Sequence, residues 1–358
     1  MAKKKRDNEE VTSDEQDGKR QSAALAVIKK KYGNVLNSLN ESGNDIKTIS
    51  TGSLGLDLAL GRGGMALGRI YEVYGPNSSG KSTLGVHVVI QAQRRGMKCA
   101  YIDAEHAVDP QLFKNYGVDS DALDIIQAYG GEPNLDICEK LVQTGNYSVI
   151  VVDSVSALIP MAEAEAQIED NQMALQARLM SKALRKITPQ AAETETLIIF
   201  VNQTRNKLST YGNPETTSGG VALAFWATGR ISVRGPESKA RRLTDSAGDV
   251  YGHTAEHEIV KNKLGQPFKK APLNLIYGKG YDYLQEILDL AVSLDVIEKA
   301  GSWFRYKGEN IAQGQEKTLI FLKENKETFE EVRNEIMLMT GLKEQYERHS
   351  NPGPLYSN

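Results

Sequence analysis

The chain has 358 residues, 43 Lys and Arg against 46 Asp and Glu, a formal charge of −3 and 40% hydrophobic residues. That composition excludes fibrous and wholly disordered classes, and no run reaches the roughly 18–20 apolar residues of a membrane-spanning helix. Near-neutral charge means that any nucleic-acid binding must rest on a local basic surface. With no apolar signal core at the N-terminus, the two cysteines, Cys99 and Cys138, read as reduced, buried thiols of a cytoplasmic protein. The five histidines lack close pairing and give no metal-site signal.

Residues 1–22 read as a disordered charged tail, too polar to offset their ordering entropy. Lys3–Arg6 (KKKR) sits among acids there and fits a solvated tail better than a DNA contact. Residues 23–48 are expected as a helix and linker for subunit packing, with Ala24, Leu25, Val27 and Ile28 forming an apolar stripe over Ala23–Tyr32. Residues 49–282 alternate apolar strands with amphipathic helices. The strands are expected at Ile70–Val73, Cys99–Asp103, Val149–Asp153, Leu197–Asn202, Arg230–Val233 and Leu273–Ile276. Helices are expected after Ser82 and over Pro110–Tyr116, Leu135–Thr144 and Met173–Lys186. Solidly apolar strands alternating with helices predict an α/β fold with a mostly parallel sheet. Two polar stretches, Met161–Gln172 and Thr204–Gly220, interrupt the core, and such insertions are usually functional. Residues 283–345 read as a small C-terminal α/β domain with a strand-like patch at Trp303–Tyr306, and 346–358 as a flexible tail.

Between the first strand and its helix stands Gly75-Pro76-Asn77-Ser78-Ser79-Gly80-Lys81-Ser82, then Thr83. The spacing G-x-x-x-x-G-K-[ST] is that of a phosphate-binding loop. Gly75 and Gly80 are expected to permit backbone angles that aim successive N–H groups at one anion. The helix N-terminus adds partial positive charge. Lys81 is expected on the β- and γ-phosphates and the Ser82 hydroxyl on Mg²⁺. The strand Val149–Asp153 ends in a carboxylate where parallel sheets bind ligands, so Asp153 is expected to support the same Mg²⁺; alone it would read equally as a helix cap. Glu105 follows another strand's carboxyl end and is the candidate to position the attacking water. ATP and Mg²⁺ are therefore the expected cofactors.

Together GPNSSGKS, Tyr101–Pro110 (YIDAEHAVDP), VVDSVSAL and NPETTSGG resemble the bacterial RecA recombinase family in its order and spacing, supported by Ile49–Leu60, Val260–Lys263 (VKNK) and Ile297–Ala300. The resemblance runs from about Ala23 to about Leu338. It implies a P-loop NTPase core of the RecA type, and an ATPase that forms ATP-stabilised filaments on single-stranded DNA and exchanges strands with double-stranded DNA. It further implies catalytic roles for Glu105, Lys81 and Gln203, the last as a γ-phosphate sensor. Asp109 is implied beside the base. Lys261, Lys263, Tyr277 and Gly278 are implied to reach ATP on the adjacent subunit, and Met173, Arg178, Arg185, Arg205, Leu208, Tyr211, Gly219 and Gly220 to contact DNA. A self-cleaving repressor is implied as a further partner. A hexameric helicase or a nucleotide-gated scaffold without strand exchange shares the same core and stands as the alternative.

Several residues depart from the family pattern. Glu169, Gln172 and Ala174 replace the usual glycines and histidine of the first loop, the second loop is one residue short, and Ala224 replaces a lysine. Leu112 stands where a tyrosine usually packs on adenine, so base contact is expected from Leu112 or Asp109. No strongly acidic run precedes Asn358, which should ease engagement of double-stranded DNA.

Overall fold

The computed structural model describes residues 23, 26, 27, 30, 31, 46–165, 174–206, 215–235, 241–349 and 351–354. The chain forms two compact units, Met1–Ile46 and Lys47–Asn358. In the first, the described residues at 23, 26, 27, 30 and 31 are helical, within the expected helix. Met173, Leu208, Tyr211 and the whole N-terminal tail, residues 1–22, lie outside the described residues.

In the second unit, β1 (Thr48–Ile49) pairs with β2 (Met65–Ala66). The main sheet comprises β3 (Ile70–Gly75), β4 (Cys99–Asp103), β5 (Leu123–Ile126), β6 (Val149–Asp153), β7 (Leu197–Asn206), β9 (Gly229–Arg234), β11 (Val250–Asn262), β12 (Lys270–Ile276) and β13 (Gly280–Tyr281), with short β8 (Glu215–Thr217) on β7 and β10 (Arg242–Thr244) on β11. Its spatial order is β13-β12-β11-β9-β3-β7-β6-β4-β5. From β9 to β5 every pairing is parallel; from β9 to β13 every pairing is antiparallel.

The parallel half is apolar because helices cover both faces. Leu135, Cys138 and Val142 of α4 (Gly131–Gln143) and Met180, Leu184 and Ile187 of α5 (Leu175–Glu193) pack on Ile150 and Phe200. The other early helices are α1 (Leu54–Leu60), α2 (Lys81–Gln93) and α3 (Pro110–Tyr116), with a single helical turn at Met161–Ala164 where the first interrupting stretch begins. Cys99 and Cys138 are buried free thiols, and burial pushes both up to about 12. β11 is missing from the sequence-based expectation because its pattern alternates, and its buried positions include His253 and His257 beside Ala255 and Ile259. No helix among the described residues is long and apolar enough to cross a membrane.

After α6 (Ala222–Trp226), the chain ends in α7 (Tyr283–Ser293), an antiparallel sheet of β14 (Glu298–Ala300), β15 (Trp303–Tyr306) and β16 (Glu309–Gln313), then α8 (Gln315–Glu324), α9 (Lys326–Met339) and α10 (Leu342–Arg348). Leu54 of α1 joins their core with Ile287, Phe304, Leu322 and Ile336. Residues 346–354, expected as part of a flexible tail, are instead fastened where described. The Tyr346 hydroxyl donates to Asp57 Oδ2 at 2.9 Å, Asn351 Nδ2 to Gly63 O at 2.6 Å, and Arg333 Nη2 to Pro354 O at 2.8 Å. Polar side chains with buried polar partners, invisible to an apolar-pattern reading, account for the difference.

The joint between α1 and α7 holds a buried carboxyl. Glu286 Oε1 accepts from Ser53 Oγ (2.5 Å) and Gly55 N (2.9 Å), while Oε2 is buried without a partner. Burial pushes this carboxyl up to about 7, against hydrogen bonds that favour the charged form. A group raised in the folded state contributes stability that is present below its unfolded pKa and lost as pH rises through the folded value. The melting temperature should therefore fall as pH rises from about 4.5 through about 7, and Glu286→Gln should flatten that slope in a thermal-melt series.

Candidate nucleotide site

Register alone brings the candidate residues to one edge of the sheet. Gly75 at the end of β3 is level with Gln203 of β7, and Asp153 of β6 is level with Asp103 of β4. The loop 75–80 leaves β3 and runs into α2 at Lys81. Gly80 adopts φ 99° at the helix N-cap, and Ser78 φ 59°. Gly75 is required for a different reason from the one expected: a Cβ there would stand 2.1 Å from Val233 O. Space, not a left-handed angle, excludes side chains at Gly75.

Lys81 is 8% exposed and its ammonium donates to Pro76 O. Burial lowers its pKa, while Asp153 and Glu105 pull it back. Asp153 is raised by burial and opposed by hydrogen bonds from Ser82 and Tyr101; the Tyr101 hydroxyl donates to Asp153 Oδ2 at 2.6 Å. Ser79 Oγ is buried without a partner. A buried orphan hydroxyl on a loop facing a lysine, with a serine–carboxylate pair beside it, fits an anion escorted by a divalent cation. Pro76, Asn77 and Thr83 complete the segment, and the Thr83 hydroxyl bonds Tyr116.

Glu105 is fixed from two sides. Its N–H and that of Ala104 donate to Asp153 O at 3.3 and 2.8 Å. Its carboxylate accepts from Ser154 Oγ and, at 3.0 Å, from Gln203 Nε2. The structure thus joins Glu105 and Gln203 directly, a link that spacing could not reveal because 98 residues separate them. Neither Tyr101 nor Ser154 was singled out from sequence; a lone tyrosine in the apolar strand β4 was the available signal.

Beside Ser82 and Thr83 opens a cavity of about 130 Å³ that Asp109, Leu112 and Tyr116 help to line. Asp109 also caps α3, accepting from Gln111 N at 2.8 Å, with Pro110 at the first helical position. Tyr277 and Gly278, expected from the neighbour, lie on their own chain's side. The Tyr277 hydroxyl is 3.3 Å from His253 Nδ1, a Cβ on Gly235 would touch both His253 and Ser79 of the loop, and the Tyr281 hydroxyl donates to Gly80 O at 3.2 Å.

Lys261 and Lys263 lie away from this edge. Lys263 N donates to Thr228 O and Thr228 N to Ile70 O, so Lys263 is level with the start of β3, opposite the loop. Lys261 Nζ donates to Ala224 O (2.7 Å) and Phe225 O (2.9 Å), carbonyls of α6. Val221 and Phe225, 84% and 71% exposed, form an apolar patch beside these cations.

Arg178 and Arg185 are both exposed on α5, seven positions apart and hence on one face, about 10 Å along the axis. Arg205 is a backbone partner of Thr216 in the β7–β8 hairpin. Gly219 and Gly220 take φ 80° and 74°; a Cβ on Gly219 would meet Val155 at 2.9 Å, and one on Gly220 would meet Ala177 of α5 at 2.7 Å. The N–H of Gly219, a residue implied to contact DNA, donates to Gln176 Oε1 at 3.1 Å. Gln176 Nε2 in turn donates to Val155 O (2.8 Å) and Leu158 O (3.2 Å). One side chain thereby ties together the stems of both interrupting stretches.

Comparison with known proteins matches residues 19–282 to the RecA N-terminal domain and residues 285–341 to the RecA C-terminal domain. The chain is similar to Protein RecA of Haemophilus ducreyi, 46% identical over 325 residues, which cover 90% of this chain and 86% of that protein.

Proposed function

The chain belongs to the bacterial RecA family, a DNA-dependent ATPase and homologous recombinase working with ATP and Mg²⁺, and we propose that neighbouring subunits of its filament complete each other's ATP sites. The observation that carries this reading is the separation of cations within one chain. Lys81 stands at the loop, whereas Lys261 and Lys263 stand toward the opposite end of β3, beside the exposed Val221 and Phe225. Cations that cannot serve their own loop, set in an apolar patch, suit an adjacent subunit's phosphates.

Bound at the site, ATP would supply the transferable phosphoryl group and Mg²⁺ would offset its charge. Ser82 and Asp153 would hold the metal, Lys81 the phosphates, and Asp109 and Leu112 would flank the base. Glu105 orients and deprotonates the attacking water. Gln203, bonded to that carboxylate, reports the state of the site to the β7–β8 stem. Tyr277 and Gly278 close over the nucleotide of their own chain. Arg178 and Arg185, with Met173, Arg205, Leu208, Tyr211, Gly219 and Gly220, form the surface that holds single-stranded DNA and then double-stranded DNA, chiefly through the backbone, so that pairing between strands supplies specificity. A self-cleaving repressor is a further proposed partner, and the cytoplasm the proposed compartment.

Mixing tests the shared site. Subunits carrying Lys81→Ala and subunits carrying Lys261→Ala with Lys263→Ala should each be inactive alone. Mixed, they should regain DNA-stimulated ATPase at junctions where an intact loop faces intact lysines. Absence of recovery, with both variants folded and bound to DNA, would reject the composite site; closed rings in electron micrographs would reject the filament.

A further inference from the structure

A second buried polar cluster lies in the same sheet, and the nucleotide site does not use it. Glu72, in the middle of β3, is 0% exposed. Its Oε1 accepts from Asn202 Nδ2 at 2.9 Å and its Oε2 from Arg230 Nε at 2.5 Å. The Arg230 guanidinium also stands 4.6 Å from the centroid of the Tyr74 ring. A buried ion pair is a poor device for stability alone, because apolar side chains of similar volume do as well or better. The value of this one must lie in what it connects.

Asn202 makes the first connection. Its Nδ2 also donates to Ser218 O at 3.0 Å, and its Oδ1 accepts from Gln203 N at 2.9 Å. One amide thus holds the return stem of the second interrupting stretch and the backbone of the residue bonded to Glu105. Arg230 makes the other connection: it is the cross-strand partner of Lys261, whose ammonium rests on the α6 carbonyls. Arg230 and Glu72 act in opposite senses on the Lys261 charge. Ser218 Oγ, at the other end, is buried without a partner.

We propose that Glu72, through Asn202 and Arg230, is a positioning residue that couples the two faces of one subunit, the Glu105–Gln203 pair beside its own ATP and the Lys261 shelf lent to the next. The inference rests on the reading that Lys261 serves a neighbouring subunit. Its physical basis is that both oxygens of the buried carboxylate are committed. If Asn202 moves off, a buried carboxylate oxygen loses its donor, and if Arg230 does, the buried charge loses its partner, so a shift of one recruits the other. DNA pulling on the Ser218 stem would move Asn202 first, and Arg230 with Lys261 would follow.

The test uses the full chain with Glu72→Gln, which keeps the shape and removes the charge, and Glu72→Gln with Arg230→Gln, which restores a neutral pair. In Glu72→Gln, ATPase without DNA and KM for ATP should change by less than about twofold, while DNA-stimulated kcat falls about tenfold, a typical coupling loss. Hydrogen exchange without nucleotide gives a readout independent of turnover. Single-stranded DNA should alter exchange at Thr217–Gly220 and at Ile259–Lys263 in the parent protein, but only at the first segment in Glu72→Gln. The double variant should recover both DNA stimulation and the second exchange change. Unchanged stimulation and exchange in Glu72→Gln would overturn the proposal. So would parallel loss of melting temperature, ATP affinity and basal turnover without recovery in the double variant. Complementation by mixing is scored separately, so success there with a silent Glu72→Gln removes the coupling and leaves the shared site standing.

Discussion

Lys81→Ala is expected to fold and to lose ATP turnover by about a thousandfold or more, the scale set by losing a preorganised charge at a phosphoryl group. The ammonium is buried, stays close to Asp153 and Glu105, and rests on the Pro76 carbonyl. Its removal takes away the positive charge aimed at the phosphates and leaves two carboxylates without their counter-charge. Burying an ammonium costs desolvation, which offsets part of that loss, so the variant should stay folded with a lowered melting temperature. Circular dichroism, nucleotide binding and DNA-stimulated ATPase measured on one preparation check the expectation. Near-normal turnover in folded Lys81→Ala would refute the assignment of the loop.

Glu105→Gln should separate binding from chemistry. The glutamine still accepts from Gln203 and Ser154, so the local hydrogen bonds survive, but it is a far weaker base. ATP binding and assembly on DNA should persist while hydrolysis slows by about 10²–10⁴-fold, the range for a lost general base. Glu105→Ala leaves two donors without their acceptor and should also disturb the response to DNA. Filament imaging with ATP, alongside phosphate release, distinguishes the cases. If Glu105→Gln loses assembly and turnover together, Glu105 is a structural support and not the base.

The chemistry of this site was readable in the sequence wherever it depended on neighbours along the chain. Gly75–Ser82 sits between strand and helix as its spacing demands, and α3 spans Pro110–Tyr116 because Asp109 and Pro110 specify its start. The parallel strands β4, β6 and β7 were legible because burial on both faces makes their runs apolar, whereas parallel β5, exposed at Asp124 and Ile125, was missed. What was hidden depended on residues brought together from afar. β11 carries histidines where an apolar pattern was sought, the Glu105–Gln203 and Glu72–Arg230 contacts cross the sheet, and the fastening of Tyr346 and Asn351 uses polar groups that composition assigns to a tail. The position of Tyr277 beside its own loop follows from the β12–β13 hairpin, whose register no local motif encodes.

Gln176 gives the two interrupting stretches a shared hinge. Since one amide grips the Val155 and Leu158 carbonyls and the Gly219 N–H, the stems are not free to move independently. A change that releases the Gly219 N–H from Gln176 also loosens that side chain's hold on the start of the other stretch.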